Sequence, residues 1–173
     1  KKGIIQNCYG RGLDTPFASS ALYLEVVNSY FEKISGKVLY NSSTITSIKD
    51  SFFQGVRGND STTENNTVIY NNSTFIKLKY SNCYGDLTFK NCLFFNEYLI
   101  GVKDNMPFFS QNATTMPIKL RMNNCIIFGY YVAVGVLTTD YIGDYNIFYS
   151  PNSPDLKLYY NGVLYSTLAD WKI

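Results

Sequence analysis

The side chains of this chain that could do chemistry are scattered carboxylates, a few Lys and Arg, and four cysteines; there is no His. The commonest proton-transfer group is therefore missing. Glycoside hydrolysis would need two carboxylates held several ångström apart across a cleft. The candidates Asp50, Asp60, Glu64, Asp86, Glu97, Asp104, Asp140 and Asp144 repeat at no fixed placement. A lyase would need Lys or Arg as base beside a carboxylate-bound cation, and Lys103, Asp104 and Arg121 are the one grouping near a long loop. That grouping reads as solvated loop charge. No C-x-x-C pair exists, so a zinc site is not expected, and no catalytic residue, metal or cofactor is assigned.

Three of the cysteines share a context, and that context organises the chain. An Asn or Asp is followed by Cys or Ser, with an apolar residue two positions before and an aromatic or Ile three after. The slot reads Ile5-Gln6-Asn7-Cys8, Val26-Val27-Asn28-Ser29-Tyr30-Phe31, Ile48-Lys49-Asp50-Ser51-Phe52-Phe53 and Tyr70-Asn71-Asn72-Ser73-Thr74-Phe75. It returns as Phe89-Lys90-Asn91-Cys92-Leu93-Phe94, Met122-Asn123-Asn124-Cys125-Ile126-Ile127 and Ile142-Gly143-Asp144-Tyr145-Asn146-Ile147. The anchors are 21, 22, 22, 19, 33 and 20 residues apart. A near-constant period in this range marks a solenoid.

The elements of each repeat follow from parity. Positions two and four before the anchor are mostly apolar (Leu24 and Val26, Val68 and Tyr70, Leu87 and Phe89, Leu120 and Met122), while the position just before it is usually polar. Period two means strand. A repeat of this length built from short strands closes on itself as a parallel β-helix. About seven rungs, each adding roughly 4.8 Å, would make a column of about 34 Å. Stacked anchors would form a side-chain ladder, with Asn28, Asn72, Asn91 and Asn124 expected buried and their amides bonded along it. Asp50 and Asp144 accept but cannot donate when ionised, so they cap or interrupt the ladder. Phe31, Phe53, Phe75, Phe94 and Ile127 should stack inside. Cys8, Cys92 and Cys125 read as small packing residues at a bend; a Cys92–Cys125 disulfide is geometrically possible on successive rungs but is not expected.

With these residues the chain resembles the right-handed parallel β-helix repeat proteins, and its Asn/Tyr/Ile-rich style is most similar to the adhesin-like cell-surface proteins of methanogenic archaea. The closing run, Asp144-Tyr145-Asn146-Ile147-Phe148-Tyr149 and then Tyr160-Asn161-Gly162-Val163-Leu164-Tyr165-Ser166-Thr167-Leu168-Ala169-Asp170-Trp171, is similar to the way such domains finish. The resemblance implies an extracellular, surface-attached module for adhesion, glycan binding or a structural stalk. Because β-helices also host carbohydrate-active enzymes, a polysaccharide lyase or glycoside hydrolase domain, or an inactive remnant of one, is the alternative.

Composition fits one domain over 1–173, with rungs over 1–150 and a cap over 151–173. At 46% hydrophobic and 17% aromatic the chain can fill one sizeable core, and a net charge of +2 without a basic run offers nothing to nucleic acid. No apolar segment is long enough for membrane insertion. The first residues already read as a rung, so neighbouring domains or chains are expected at that end and the chain reads as a fragment of a longer one. Six glycosylation sequons begin at Asn41, Asn59, Asn65, Asn71, Asn72 and Asn112, of which Asn41, Asn59, Asn65 and Asn112 lie in turn-like polar stretches and are the better acceptors. The long interval places an inserted loop between Lys103 and Pro117, whose Phe108 and Phe109 are either a ligand contact or a lid. A second loop is expected from Arg57 to Asn66. Asn161-Gly162 between apolar runs signals a hairpin, and Ser166 or Thr167 would cap a short helix carrying Trp171.

The same parity sets the candidate contact surface. If the third residue after each anchor points inward, the second points outward, and those positions read Tyr9, Tyr30, Phe52, Thr74, Leu93 and Ile126. An apolar stripe there would be either a binding face for a glycan or protein partner, led by Tyr9, Tyr30 and Phe52, or core covered by another element.

Overall fold

Alternating apolar residues build the first side of a solenoid. Strands Lys2–Gln6, Tyr23–Val27, Ile45–Lys49, Asn66–Asn71, Gly85–Lys90, Ile118–Asn123 and Thr139–Asp144 stack in chain order as one parallel sheet. The structure, a computed structural model, describes residues 1–19, 21–35, 39–41, 45–63, 66–81, 85–96, 109–110, 118–129, 132–136, 139–149, 157–160 and 163–165. The register has no slip: Val26 pairs with Ile48, Ile48 with Tyr70, Tyr70 with Phe89, and Phe89 with Met122. All five side chains are buried, as are Leu24, Val68, Leu87 and Leu120 two residues earlier. Among the described residues the fold is an all-β parallel helix, as the parity predicts.

The chain turns at the anchor and runs into a second parallel side. Phe31, Phe53, Phe75 and Phe94 stack there at centroid spacings of 5.6, 5.3 and 4.9 Å with planes within 11° of parallel. Each buried ring removes enough apolar surface from water to contribute roughly 1.5–3 kcal/mol. Tyr70 and Phe89, from the first side, meet this stack edge-on at 5.3 and 5.2 Å, which locks the two sides together. Gly10 holds the phenylalanine position of the first rung, where a Cβ would lie 2.7 Å from the Phe31 ring.

Strands Phe52–Thr63 and Thr74–Ser81 continue past the second corner, so the second and third sides merge into one larger sheet. The polar stretch from Arg57, expected as a loop, is therefore strand to Thr63. Asn59, Asp60 and Ser61 pair with Leu78, Lys79 and Tyr80, and this ladder overrides the polar composition. Four successive turns are described with no gap longer than three residues, fewer than the expected column of about seven. The later repeats are represented by their first and second sides and by parts of the third. Asn96, the last described residue before the long interval, donates its amide to the Gly129 carbonyl at 3.2 Å on the following rung. Lys157–Tyr160 and Val163–Tyr165 form the expected antiparallel hairpin; the cap helix and Trp171 lie outside the described residues.

Candidate binding face

The first corner is built by backbone conformation. Asn7, Asn28, Asp50, Asn72, Asn91 and Asn124 all have φ between 47° and 54°, the left-handed region that Asn and Asp tolerate best after Gly. That requirement explains the recurring residue type. It also turns the side chains outward, so the expectation of buried anchors is wrong: all six are exposed. The bonding expectation holds for Asn28, Asn72 and Asn124. Asn28 Nδ2 donates to Asn7 Oδ1 at 2.7 Å, Asn72 Nδ2 to Asp50 Oδ1 at 2.6 Å, and Asn124 Nδ2 to Asn91 Oδ1 at 2.8 Å. Asn91 Nδ2 reaches Asn71 Oδ1 instead, at 3.5 Å.

The seventh anchor is misplaced in the sequence reading. Asn123 pairs with Asp144, so Asp144 stands one position before the corner, and Tyr145 takes the left-handed conformation with φ 55°. Asn146 then fills the small-residue slot. Its Oδ1 accepts from the Cys125 N–H at 2.9 Å, and its Nδ2 donates to the Met122 carbonyl at 2.7 Å.

That slot carries a second, inner ladder. The hydroxyls of Ser29, Ser51 and Ser73 each donate back two residues to a carbonyl at 2.7–2.9 Å. The same oxygens accept the N–H of the slot residue one rung earlier: Cys8 N–H donates to Ser29, Ser29 N–H to Ser51 and Ser51 N–H to Ser73, at 3.2–3.3 Å. Cys92 and Cys125 do the same with sulfur, donating to the Lys90 and Asn123 carbonyls at 3.2 and 3.4 Å. They are free thiols on neighbouring rungs. The side-chain interaction with Cys125 and burial push the Cys92 thiol far up, and the same interaction holds the Cys125 thiol below its ordinary value.

Immediately after the slot lies the outward stripe. Tyr9, Tyr30, Phe52, Thr74, Leu93, Ile126 and Ile147 stand in unbroken register. Tyr9 is 64% exposed, Tyr30 40%, Ile126 43% and Ile147 57%, so the stripe faces solvent toward both ends, while Phe52 and Thr74 between them are half-buried. The rings, however, lie on one another: Tyr9 on Tyr30 at 5.8 Å and 17°, Tyr30 on Phe52 at 4.4 Å and 4°. Their faces are used by the stack, and the surface presents ring edges rather than open ring faces.

Beside these rings the structure places polar groups that the sequence reading passed over. The Tyr9 hydroxyl donates to Glu32 at 2.7 Å, a bond that raises the phenol above its ordinary value, and Arg11 Nε reaches the same carboxylate oxygen at 3.1 Å. Glu32 and Arg11 share the outward parity of Tyr30 and Tyr9, which was the available signal. An open depression of about 330 Å³ lies between the anchor row and the stripe, lined by Asn28, Tyr30, Asp50, Phe52, Asn72 and Thr74 with Ser29 and Ser51 at its base.

The remaining candidates are not brought here. Arg121 lies on the outer face of the first sheet, 3.9 Å from Asp86, while Lys103 and Asp104 lie outside the described residues. Phe108 also lies outside them, and of Phe109 only the main chain is described, paired with Tyr80. Asn41 and Asn59 sit in strands rather than in the expected turns, and Asn65 and Asn112 are outside the described residues. Asn72, expected buried, is exposed, with its amide donated to Asp50. Among the described residues no group of three His, Cys, Asp or Glu could hold a metal ion, and no helix is long and apolar enough to cross a membrane. No protein family, curated protein or solved structure matches this chain.

Proposed function

We propose that the chain is a non-catalytic module of an extracellular, surface-attached protein, a rigid β-helical stalk whose stripe face makes adhesive contact with a glycan. The observation that carries this reading is the exposed in-register row from Tyr9 to Ile147, set against a polar depression. Contiguous exposed apolar surface rimmed by polar groups marks binding sites in soluble proteins. A parallel helix suits the role because its rungs hold these positions in one line, along which an extended ligand can run. The adhesin-like style of the sequence and its sequons agree with a surface location.

A double substitution, Tyr9→Ser with Tyr30→Ser, tests the reading. Loss of attachment to glycan-coated surfaces at a nearly unchanged melting temperature supports a contact face. Intact attachment with a lowered melting temperature assigns the stripe to stability instead.

A further inference from the structure

The anchor ladder is interrupted twice, at Asn91, whose amide turns to Asn71, and between Asn28 and Asp50, and the second of these breaks faces the depression. From rung to rung the amides donate toward the preceding anchor, as Asn28 does to Asn7 and Asn72 does to Asp50. Asp50 cannot pass this on, because an ionised carboxylate has no donor. Asn28 therefore presents its Oδ1 on the side where the next rung holds another acceptor. Lys49, next in sequence, does not neutralise the carboxylate, since it directs its ammonium to Glu25 at 3.3 Å on the first sheet. Two adjacent acceptors on an exposed corner leave hydrogen-bonding capacity that a ligand donor can take over from water.

The surroundings narrow the kind of donor. Tyr30 and Phe52, whose rings stack at 4.4 Å beside Asn28 and Asp50, supply apolar ring edges along the same depression. Two close acceptors next to an apolar wall match a ligand with adjacent hydroxyls on a carbon ring. We propose that the gap between Asn28 and Asp50 is a subsite for one pyranose unit of a neutral glycan, with neighbouring hydroxyls donating to Asn28 Oδ1 and to the Asp50 carboxylate. The inference rests on the glycan-binding reading of this face and gives it a ligand class and a position.

Asp50→Asn is the discriminating variant, since it removes the carboxylate and supplies beside Asn28 Oδ1 the donor that an ionised carboxylate lacks. Titration of the protein with cellohexaose and maltohexaose, followed by NMR, is expected to perturb Asn28, Asp50 and Tyr30. The variant is expected to lose roughly tenfold or more in affinity, as removal of charge-assisted hydrogen bonds predicts, with its melting temperature unchanged or raised. Equal binding by the variant overturns the subsite; if Tyr9→Ser with Tyr30→Ser then weakens binding, the stripe reading still stands. No binding of either hexaose by the parent also overturns it, the outcome expected if the Asn28 amide turns over and donates to Asp50. Binding confined to a chitosan hexamer and lost at high salt overturns it in favour of a simple ion pair.

Discussion

Asn72 donates its side-chain amide to the carboxylate of Asp50 at 2.6 Å, and both residues hold the same left-handed backbone, φ 49°. The two facts have different energetic weight. The bond is exposed, so water replaces it readily when a partner is removed. The conformation is obligatory, because the chain turns the corner through it on every rung.

The anchors are thus conserved in type along the chain for backbone reasons more than for the ladder, and substitutions should separate the two. Asn124→Ala is expected to cost about 1–2 kcal/mol, the steric penalty of the left-handed region. Asn124→Gly also deletes the bond to Asn91 but removes that penalty, so it should cost less. Urea unfolding of the two variants gives the order; a glycine variant less stable than the alanine variant would show that the side-chain ladder dominates.

Phe53 sits between Phe31 and Phe75 with no exposed surface. Phe53→Ala should lower stability by about 3–5 kcal/mol, since the rings on either side are held by their own rungs and cannot collapse into the space. Phe53→Asp buries an unpaired carboxylate and should abolish folding. Circular dichroism melting checks both, and a parent-like melt for the Asp variant would mean that the interior is assigned to the wrong face.

Parity made this interior legible. Leu24 to Leu120 and Phe31 to Ile127 fall on the predicted faces because a one-residue slip would have turned every one of them to solvent. The anchors were legible as a repeat, but their burial was inferred from stacked amides in general, and the left-handed φ that turns them outward is invisible to spacing alone. Tyr145 shows the limit clearly. A tyrosine in the corner gives no Asn or Asp signal, so the adjacent Asp144 was read as the anchor, and the amide of Asn146 standing in for a serine hydroxyl was missed. On the stripe, parity gave which side chains point outward but not their rotamers. Whether Tyr30 offers a face or an edge is decided by its contact with Phe52, which only the register between rungs fixes. The break at Asp50 was readable from residue type; its position against a depression beside Tyr30 was not.

The cysteines should differ sharply in reactivity. Cys8 is exposed at the corner, whereas Cys92 and Cys125 are buried and bonded into the inner ladder. With the Cys92 thiol pushed far up by its interaction with Cys125 and by burial, little thiolate forms there for attack. Alkylation with iodoacetamide at neutral pH, mapped by peptide mass spectrometry, should modify Cys8 quickly and spare Cys92 and Cys125 until urea opens the column. Rapid native labelling of Cys92 would contradict its placement.

Two glycines with similar backbones give the closing test of the corner geometry. Gly12 and Gly129 have φ of 69° and 82°, so an added Cβ is strained at both. At Gly12 nothing lies within 4 Å of that Cβ, while at Gly129 it would sit 2.2 Å from the Asn96 carbonyl oxygen. Asn96 cannot give way easily, since its N–H is bonded to the Phe128 carbonyl at 2.9 Å and its amide to Gly129 itself. Gly12→Ala is therefore expected to cost about 1–2 kcal/mol, the conformational term alone. Gly129→Ala should cost more than about 2 kcal/mol, because a main-chain clash is added to the same strain. Equal losses in urea unfolding would mean that Asn96 moves freely, and that the corner closing the long interval is softer than its hydrogen bonds imply.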